Sequence, residues 1–563
     1  MKAISKKIYY SCPEVVQEFI GPLMSIYNKA KRSDLNPSYF PKKSNFTSYI
    51  DEPLIFSNEK KRYFTKPYRE EEYLLICDDT LMVEILPGNE ISTSKSEIIS
   101  VDESSLIPVS FKFEGTAIIE RKNDKEVSLS GFQPNRYYYF TLHPGEKLVI
   151  NSDQNKIICD PIPLEKKSNR DIKFILCIFV DGLSNNWDNK DKLRNLMPNT
   201  YKYFSEGVIF KNCYVNGEWS LPSLANIFTG QYTHLHKIFH PEKNCEVSVD
   251  KEILSEYFQK KDYLTFHVGA NWRKSPAYGY VKGFDRTVYK KDMECFDVIS
   301  NLLEQLFAFE NRDQFGWIDL FDLHRTGYSS NVPDLSCQAH YSQNAQSYHE
   351  KYKKKSVFNN YDPRKIERYT NQISRLDKYL KLIYDHIESN YTDNEVLVML
   401  CSDHGQSYLS PNNNPLSDSR IKVPFMIRGK GVPKNIESYE LIENVDIFPT
   451  MLKLSEIEFN EETISGQLPK ILGGKEERKL VYSESIYPGQ TFKATIRDGT
   501  YQFYFETEHP TTDDGMIVLG LYKTTLISED NGSEITNEDD LVIQYTTQVL
   551  KNIETNNLDV QNI

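Results

Sequence analysis

Hydrophobic positions along the chain fall into two regimes. From about Leu54 to Cys159 they come in short alternating or β-branched runs such as SFKFEG, TAIIER, YYYFTL and KLVINS, broken by Pro-Gly and Pro-Asn turns. Runs of that length and period predict strands, so this region reads as β-rich. The polar, proline-bearing stretch from Pro161 to Arg170 reads as a linker. Beyond it stand four apolar runs: IKFILCIFV ending at Val180, LTFHV ending at Val268, FGWIDLF ending at Phe321 and VLVML ending at Leu400. Between them, residues 193–204, 297–309 and 366–387 carry apolar side chains at three- and four-residue spacing, which predicts helices. Unbroken apolar strands separated by helices describe a mainly parallel sheet covered on both faces. The end of the chain predicts strands around KATIRDG and YQFYFE and a helix over 539–553, where Leu541, Tyr545, Val549 and Ile553 lie one turn apart. The pattern therefore divides the chain into a β-rich accessory domain (1–160), an α/β domain (171–478) and a small α+β subdomain (479–563).

Composition narrows the function. A chain of 563 residues with 39% hydrophobic content buries a substantial core. Its net charge of -13 argues against nucleic acid as the main partner, because neutralising phosphates takes a basic footprint. The Lys351–Lys355 run reads as a solvated loop. The amino-terminal residues contain no apolar stretch of signal length, and no later run reaches membrane-spanning length, so the expected location is cytoplasmic. Nine cysteines without a CxxC pair read as reduced, buried thiols. No feature specifies an oligomeric state.

The chemistry gathers at strand ends, where open parallel sheets collect ligands. The first apolar run leads into Asp181-Gly182, the third into Asp322-Leu323-His324, and the last into Ser402-Asp403-His404-Gly405. A single aspartate there is more often a turn former, but three such clusters point to a site. Asp181, Asp403 and His404 offer two oxygens and an imidazole nitrogen, a set suited to one divalent metal ion: manganese, calcium, magnesium or zinc. In Ser220-Leu-Pro-Ser-Leu-Ala-Asn-Ile-Phe-Thr-Gly230, an early proline and a closing glycine predict a short helix with Ser220 as its N-cap. Ser220 is either a plain cap or a hydroxyl held at the positive end of the helix, where an anionic ester is stabilised.

These segments also carry a resemblance. VDG at Val180, SLPSLANIFTG at Ser220, GFD at Gly283, SDHG at Ser402 and VDIFPT at Val445, with LMPNTYKYFSEGVIFKNCY ahead of the serine, resemble the sulfatase-like branch of the alkaline phosphatase superfamily from about Asp171 to Tyr504. The resemblance implies an alkaline-phosphatase-like sandwich in which Asp181, Ser220, Asp403 and His404 hold the metal. It also implies that Ser220 is the nucleophile and that His324 contacts the substrate oxygens or the leaving group. Sulfatases of this branch carry an arginine four residues after the nucleophile, and the nucleophile is oxidised to formylglycine. Leu224 stands at that place, which favours an unmodified hydroxyl and phosphate-ester chemistry. The alternatives are a formylglycine sulfatase and an inactive binding protein of the same fold. A dianionic transition state calls for further positive charge, and His236, Arg273, Arg420 and Lys422 are the candidates for substrate binding. The expected substrate is a small anionic ester or a glycan-linked one, and the polar segment 326–362 is the expected shaper of its choice.

Overall fold

The computed structural model describes most of residues 82–555, together with strands at 56–57, 62–67 and 561–562; the longest internal stretches outside the described residues are 328–334 and 347–359. The Lys351–Lys355 run and much of the segment expected to shape substrate choice lie outside the described residues.

Nine strands place the site: β1 (Val83–Ser92), β2 (Phe174–Val180), β3 (Val208–Tyr214), β4 (Leu264–Gly269), β5 (Arg286–Tyr289), β6 (Gln314–Leu320), β7 (Val396–Cys401), β8 (Lys422–Gly429) and β9 (Ile436–Glu443). They lie side by side in the order β1-β5-β4-β6-β2-β7-β8-β3-β9 within a fifteen-stranded sheet. From β5 to β7 every pairing is parallel. β8 runs antiparallel to both β7 and β3, and β9 runs parallel to β3. The expected mostly parallel centre is thus present, bounded on both sides by antiparallel strands.

The unbroken apolar run of β2 follows from its double burial. Phe174, Leu176, Ile178 and Val180 join one core with residues of helices at Cys295–Ala308 and Pro363–Asn390. Ile175, Cys177 and Phe179 face the opposite core, which holds Leu221, Leu224 and Phe228 of the helix Ser220–Thr229. These helices are α1 (Ser220–Thr229), α2 (Cys295–Ala308) and α3 (Pro363–Asn390). The helical stretch expected at 193–204 is two pieces, Lys192–Leu196 and Pro198–Phe204. Pro198 lacks the N–H that a continuous helix would use and instead starts the second piece.

The β-rich region does not stand apart from the α/β body. β1 pairs antiparallel with β5 (Thr287↔Ile85) and, farther along, with Lys156–Cys159, while Arg62–Pro67 pairs along its other side, so the amino-terminal strands cover what would otherwise be the sheet's open edge. A separate four-stranded sheet packs over these strands around Ile107, Val109, Phe140 and Leu148. At the carboxyl end, β10 (Val481–Ser485) opens a four-stranded antiparallel sheet packed by α4 (Asp539–Thr555), with Tyr545, Val549 and Ile553 buried against Ile496, Phe503 and Phe505. Among the described residues, no helix is long and apolar enough to cross a membrane.

Candidate active site

β2 and β7 are parallel neighbours in register, Phe179 opposite Cys401, so the residues that follow them leave the sheet side by side. This brings Asp181 to Asp403 and His404 across more than two hundred residues of chain. Two glycines make the turn possible. Gly182 has φ +75°, and a Cβ there would lie 2.1 Å from Gln406 Nε2; a Cβ on Gly405 would lie 1.9 Å from the Ser419 carbonyl oxygen.

One oxygen of each carboxylate is held by the protein and the other is left over. Asp403 Oδ1 accepts from the Gly182 and His404 amides at 3.1 and 3.0 Å. Asp181 Oδ2 accepts from Asn271 Nδ2 at 2.7 Å and from Ser220 Oγ at 3.2 Å. Asp181 Oδ1 and Asp403 Oδ2 are buried and accept no hydrogen bond from the described residues, and Asp403 Oδ2 lies 3.2 Å from His404 Nε2. His404 Nδ1 lies 2.7 Å from the Gly405 carbonyl, which fixes the proton on that nitrogen and turns the Nε2 lone pair toward Ser220 Oγ, 3.1 Å away. Burial, followed by the Arg420 and His324 charges, holds the His404 pKa well below its ordinary value, so the ring is neutral. Burial pushes both aspartates up, and Asp403 pushes Asp181 further.

A metal ion fits this donor set. The ligand atoms of Asp181, Asp403 and His404 all lie within 4.8 Å of one another. Ligands about 2.1 Å from one tetrahedral ion are about 3.4 Å apart, comparable with the spacing of Ser220 Oγ from its two neighbours. Two orphaned carboxylate oxygens beside a neutral imidazole are costly without a cation to face.

Ser220 is the first residue of α1, and Trp219, with φ -144°, is the N-cap, so the expected capping role of Ser220 is corrected by one residue. No side chain caps this helix, and the serine hydroxyl is drawn to Asp181 and His404 instead. It still sits at the positive end of the helix. Ser220 keeps 8% of its surface exposed against 2% for His404 and none for Asp181 and Asp403, so it is the most exposed member of the group. The second serine of the motif is structural: Ser223 Oγ donates to the Asp403 carbonyl at 2.8 Å and accepts from Asn444 Nδ2 at 2.6 Å.

His324 follows β6 in a 3-10 turn, stacked 4.2 Å from Phe321, and its charge bears on His404. Asp322, from the same strand end, is turned away into an ion pair with Arg375 at 2.8 Å. The cationic candidates are spent elsewhere. His236 Nδ1 accepts from the Ile238 amide, and its Nε2 lies 3.1 Å from Asn226 Nδ2. Arg273 donates to the Pro241 carbonyl and the Tyr278 hydroxyl and lies over the Trp219 ring. Lys422 donates to Asn212 Oδ1 at 2.8 Å and lies over Tyr214. Long side chains rooted at the rim reach acceptors away from the Ser220 group. Asn271 is the polar contact that sequence reading missed; it follows β4, and the strand-end criterion applied to LTFHV would have found it.

A serine, two carboxylates and an imidazole converge at the carboxyl edge of a parallel sheet, and the two carboxylates and the imidazole form a donor set that could hold a metal ion. Residues 173–457, about half of the chain, match the Sulfatase family model, and the chain belongs to the sulfatase family. It is 23% identical over 319 residues, 46% of this chain and 44% of that one, to a Caenorhabditis elegans homolog of the extracellular sulfatase Sulf-1. It is 29% identical to the Bos taurus N-acetylglucosamine-6-sulfatase over 104 residues, 17% of this chain and 19% of that one. The match thus spans less than half the length of either relative. Among solved structures, the fold resembles a 2-O GAG sulfatase (TM-score 0.51, 17% identity, 69% of this chain and 93% of that one). It also resembles the phosphonate monoester hydrolase of Silicibacter pomeroyi (TM-score 0.50, 15% identity, 69% and 96%).

Proposed function

We propose that this protein cleaves or transfers an ester of phosphoric acid bearing a single negative charge, with the unmodified Ser220 hydroxyl as nucleophile. The observation that carries the reading is the convergence of Ser220 Oγ on Asp181 Oδ2 and His404 Nε2, beside two buried carboxylate oxygens that accept no hydrogen bond from the described residues. Asp181, Asp403, His404 and Ser220 would hold the divalent ion, which when bound supplies Lewis-acid polarisation and lowers the pKa of a neighbouring hydroxyl. Asn271 and the Gly182 and His404 amides orient the carboxylates. With its proton released to solvent, Ser220 Oγ forms the new bond to phosphorus as the bond to the leaving oxygen breaks, and His324 gives that oxygen a proton. Water or an acceptor hydroxyl then displaces the serine.

The charge of the ester follows from the cations. Among the described residues, His236, Arg273 and Lys422 make contacts with other protein groups, and the Arg420 guanidinium, held by the Glu218 and Gly405 carbonyls, is the cation whose charge reaches Asp181, Asp403 and His404. Such a site suits a phosphodiester better than a doubly charged monoester.

A second reading, sulfate-ester hydrolysis with Ser220 oxidised to formylglycine, is supported by the names of the relatives. It keeps the same residues and the same single negative charge. Turnover of aryl phosphodiesters, phosphomonoesters and sulfates with each metal separates the two, together with the mass of the Ser220 peptide from the native host. Oxidation lowers that mass by about two units, the loss of two hydrogens. Activity retained in Ser220→Ala would remove the nucleophile.

A further inference from the structure

Ser220, at the start of α1, and His404, after β7, sit on separate segments, and one buried side chain joins them. Arg420, on the short helix Asp418–Ile421, is completely buried. Its Nε donates to the Glu218 carbonyl at 2.8 Å, two residues before Ser220. Its Nη1 donates to the Gly405 carbonyl at 2.8 Å, one residue after His404. The Gly405 carbonyl is also the acceptor of His404 Nδ1. A third, longer contact of 3.4 Å joins Nη2 to the Glu218 carboxylate, which accepts in turn from Ser485 Oγ of β10. The Gly405 amide donates back to the Arg420 carbonyl.

We propose that Arg420 is a positioning residue that holds the Ser220 loop and the His404 loop in register, so that Oγ and the imidazole face the same point. Burying a guanidinium costs several kcal/mol unless its donors are met, and here its two short bonds go to backbone carbonyls. A carbonyl acceptor fixes the path of the chain, which a bond to another side chain would not. The planar fork of arginine spans both loops at once, and a lysine ammonium, a single point on a flexible stem, does not reproduce that geometry. Because Arg420 and His404 share one acceptor, the same contact also keeps the imidazole proton on Nδ1. Arg420 is not offered as a substrate ligand.

The kinetic part of the test rests on the proposed esterase reading; the exchange part does not. In Arg420→Lys, kcat is expected to fall roughly 10- to 100-fold, the cost of a misplacement of about 1 Å, with KM changed less than about 3-fold. Amide exchange at 217–220 and 404–406 is expected to quicken at least about 10-fold while β2 exchanges as before. In Glu218→Gln, which keeps the backbone acceptor, both quantities are expected to stay within about 3-fold. Unchanged exchange at the two loops in Arg420→Lys would overturn the proposal. So would exchange that quickens throughout β2, which means a general core role. A Glu218→Gln variant with the same loss as Arg420→Lys would also overturn it, since the ion pair and not the carbonyl clamp would then matter. If no ester is turned over by the wild type, the esterase reading fails and the exchange pattern still decides the role of Arg420.

Discussion

Two buried acidic groups lie close together at the carboxyl half of the central sheet, and they are built in opposite ways. Asp319, on β6, is met on every side: His267 Nε2 at 2.9 Å, Trp317 Nε1 at 2.7 Å and Lys274 Nζ at 3.5 Å, with that ammonium ringed by Phe228, Phe284 and Trp317. These partners overcome the opposing effect of burial and hold the Asp319 carboxyl below its ordinary value. Asp181 and Asp403 are as deeply buried, yet each keeps one unmatched oxygen and both are pushed upward, chiefly by burial. The first group brings its own cation and is structural. In the second, no lysine or arginine among the described residues is in hydrogen-bond contact with either carboxylate, although the Arg420 charge is felt there, and a network left incomplete by the fold is where a ligand belongs.

The contrast breaks most sharply on activity. Asp403→Asn is expected to lower kcat/KM by at least about 10³-fold in an assay with saturating metal, since it removes a charged ligand from the ion. Asp319→Asn is expected to leave the folded enzyme within about tenfold of wild type. Equal losses in the two variants would mean that the unmatched oxygens mark nothing special.

Stability should reverse the order. Asp319→Asn strands the buried Lys274 ammonium and is expected to cost about 3–5 kcal/mol in denaturant unfolding. Asp403→Asn relieves the burial of one of two adjacent carboxylates, and in chelator-treated protein it is expected to be neutral or stabilising by about 1–2 kcal/mol. Divalent metal at about 100 times its Kd should stabilise the wild type by about 2.7 kcal/mol and leave Asp403→Asn nearly unchanged. A wild type indifferent to every divalent metal would remove the metal site.

Much of this contrast was legible in the sequence, and the part that was not has a physical cause. Asp181, Asp403 and His404 each lie within four residues of the end of an apolar run and Ser220 opens a helix, so local pattern located them. The Lys422, Arg273 and His236 assignments came from the need for further positive charge, and the place where a long side chain starts does not fix where its polar tip goes. Lys422 bends to Asn212 and Arg273 to Pro241. The linker at 161–170 suggested a separate amino-terminal domain, whereas the β1 to β5 pairing joins residues two hundred positions apart and leaves no local signature. His267 and Lys274 meet at Asp319, which lies on another strand, so nothing in their own stretch of sequence marks them.

The smallest expected effect is the most discriminating, because it has opposite signs at the two sites. Burial first, then Lys274, lower the His267 pKa to about 4. The unfolded chain, with a histidine pKa of about 6.5, therefore binds more protons than the folded one between these values. The associated stability is fully present above about pH 6.5 and is lost as pH falls toward 4, at no more than about 1.4 kcal/mol per pH unit. The aspartates behave the other way in chelator-treated protein. Their folded pKa values are raised, so above the ordinary carboxylate value of about 4 the folded state holds the extra proton. That stability is present at low pH and is lost as pH rises through the folded values. Denaturant unfolding between pH 4 and 7 separates the two. His267→Gln is expected to remove the loss on acidification, and Asp403→Asn to reduce the loss on alkalinisation. Saturating metal should also remove the second slope, because a bound cation keeps both carboxylates ionised while leaving His267 untouched. If metal instead flattened the His267 slope, the two networks would be one titrating unit, and the separation between structural and functional charge would fail.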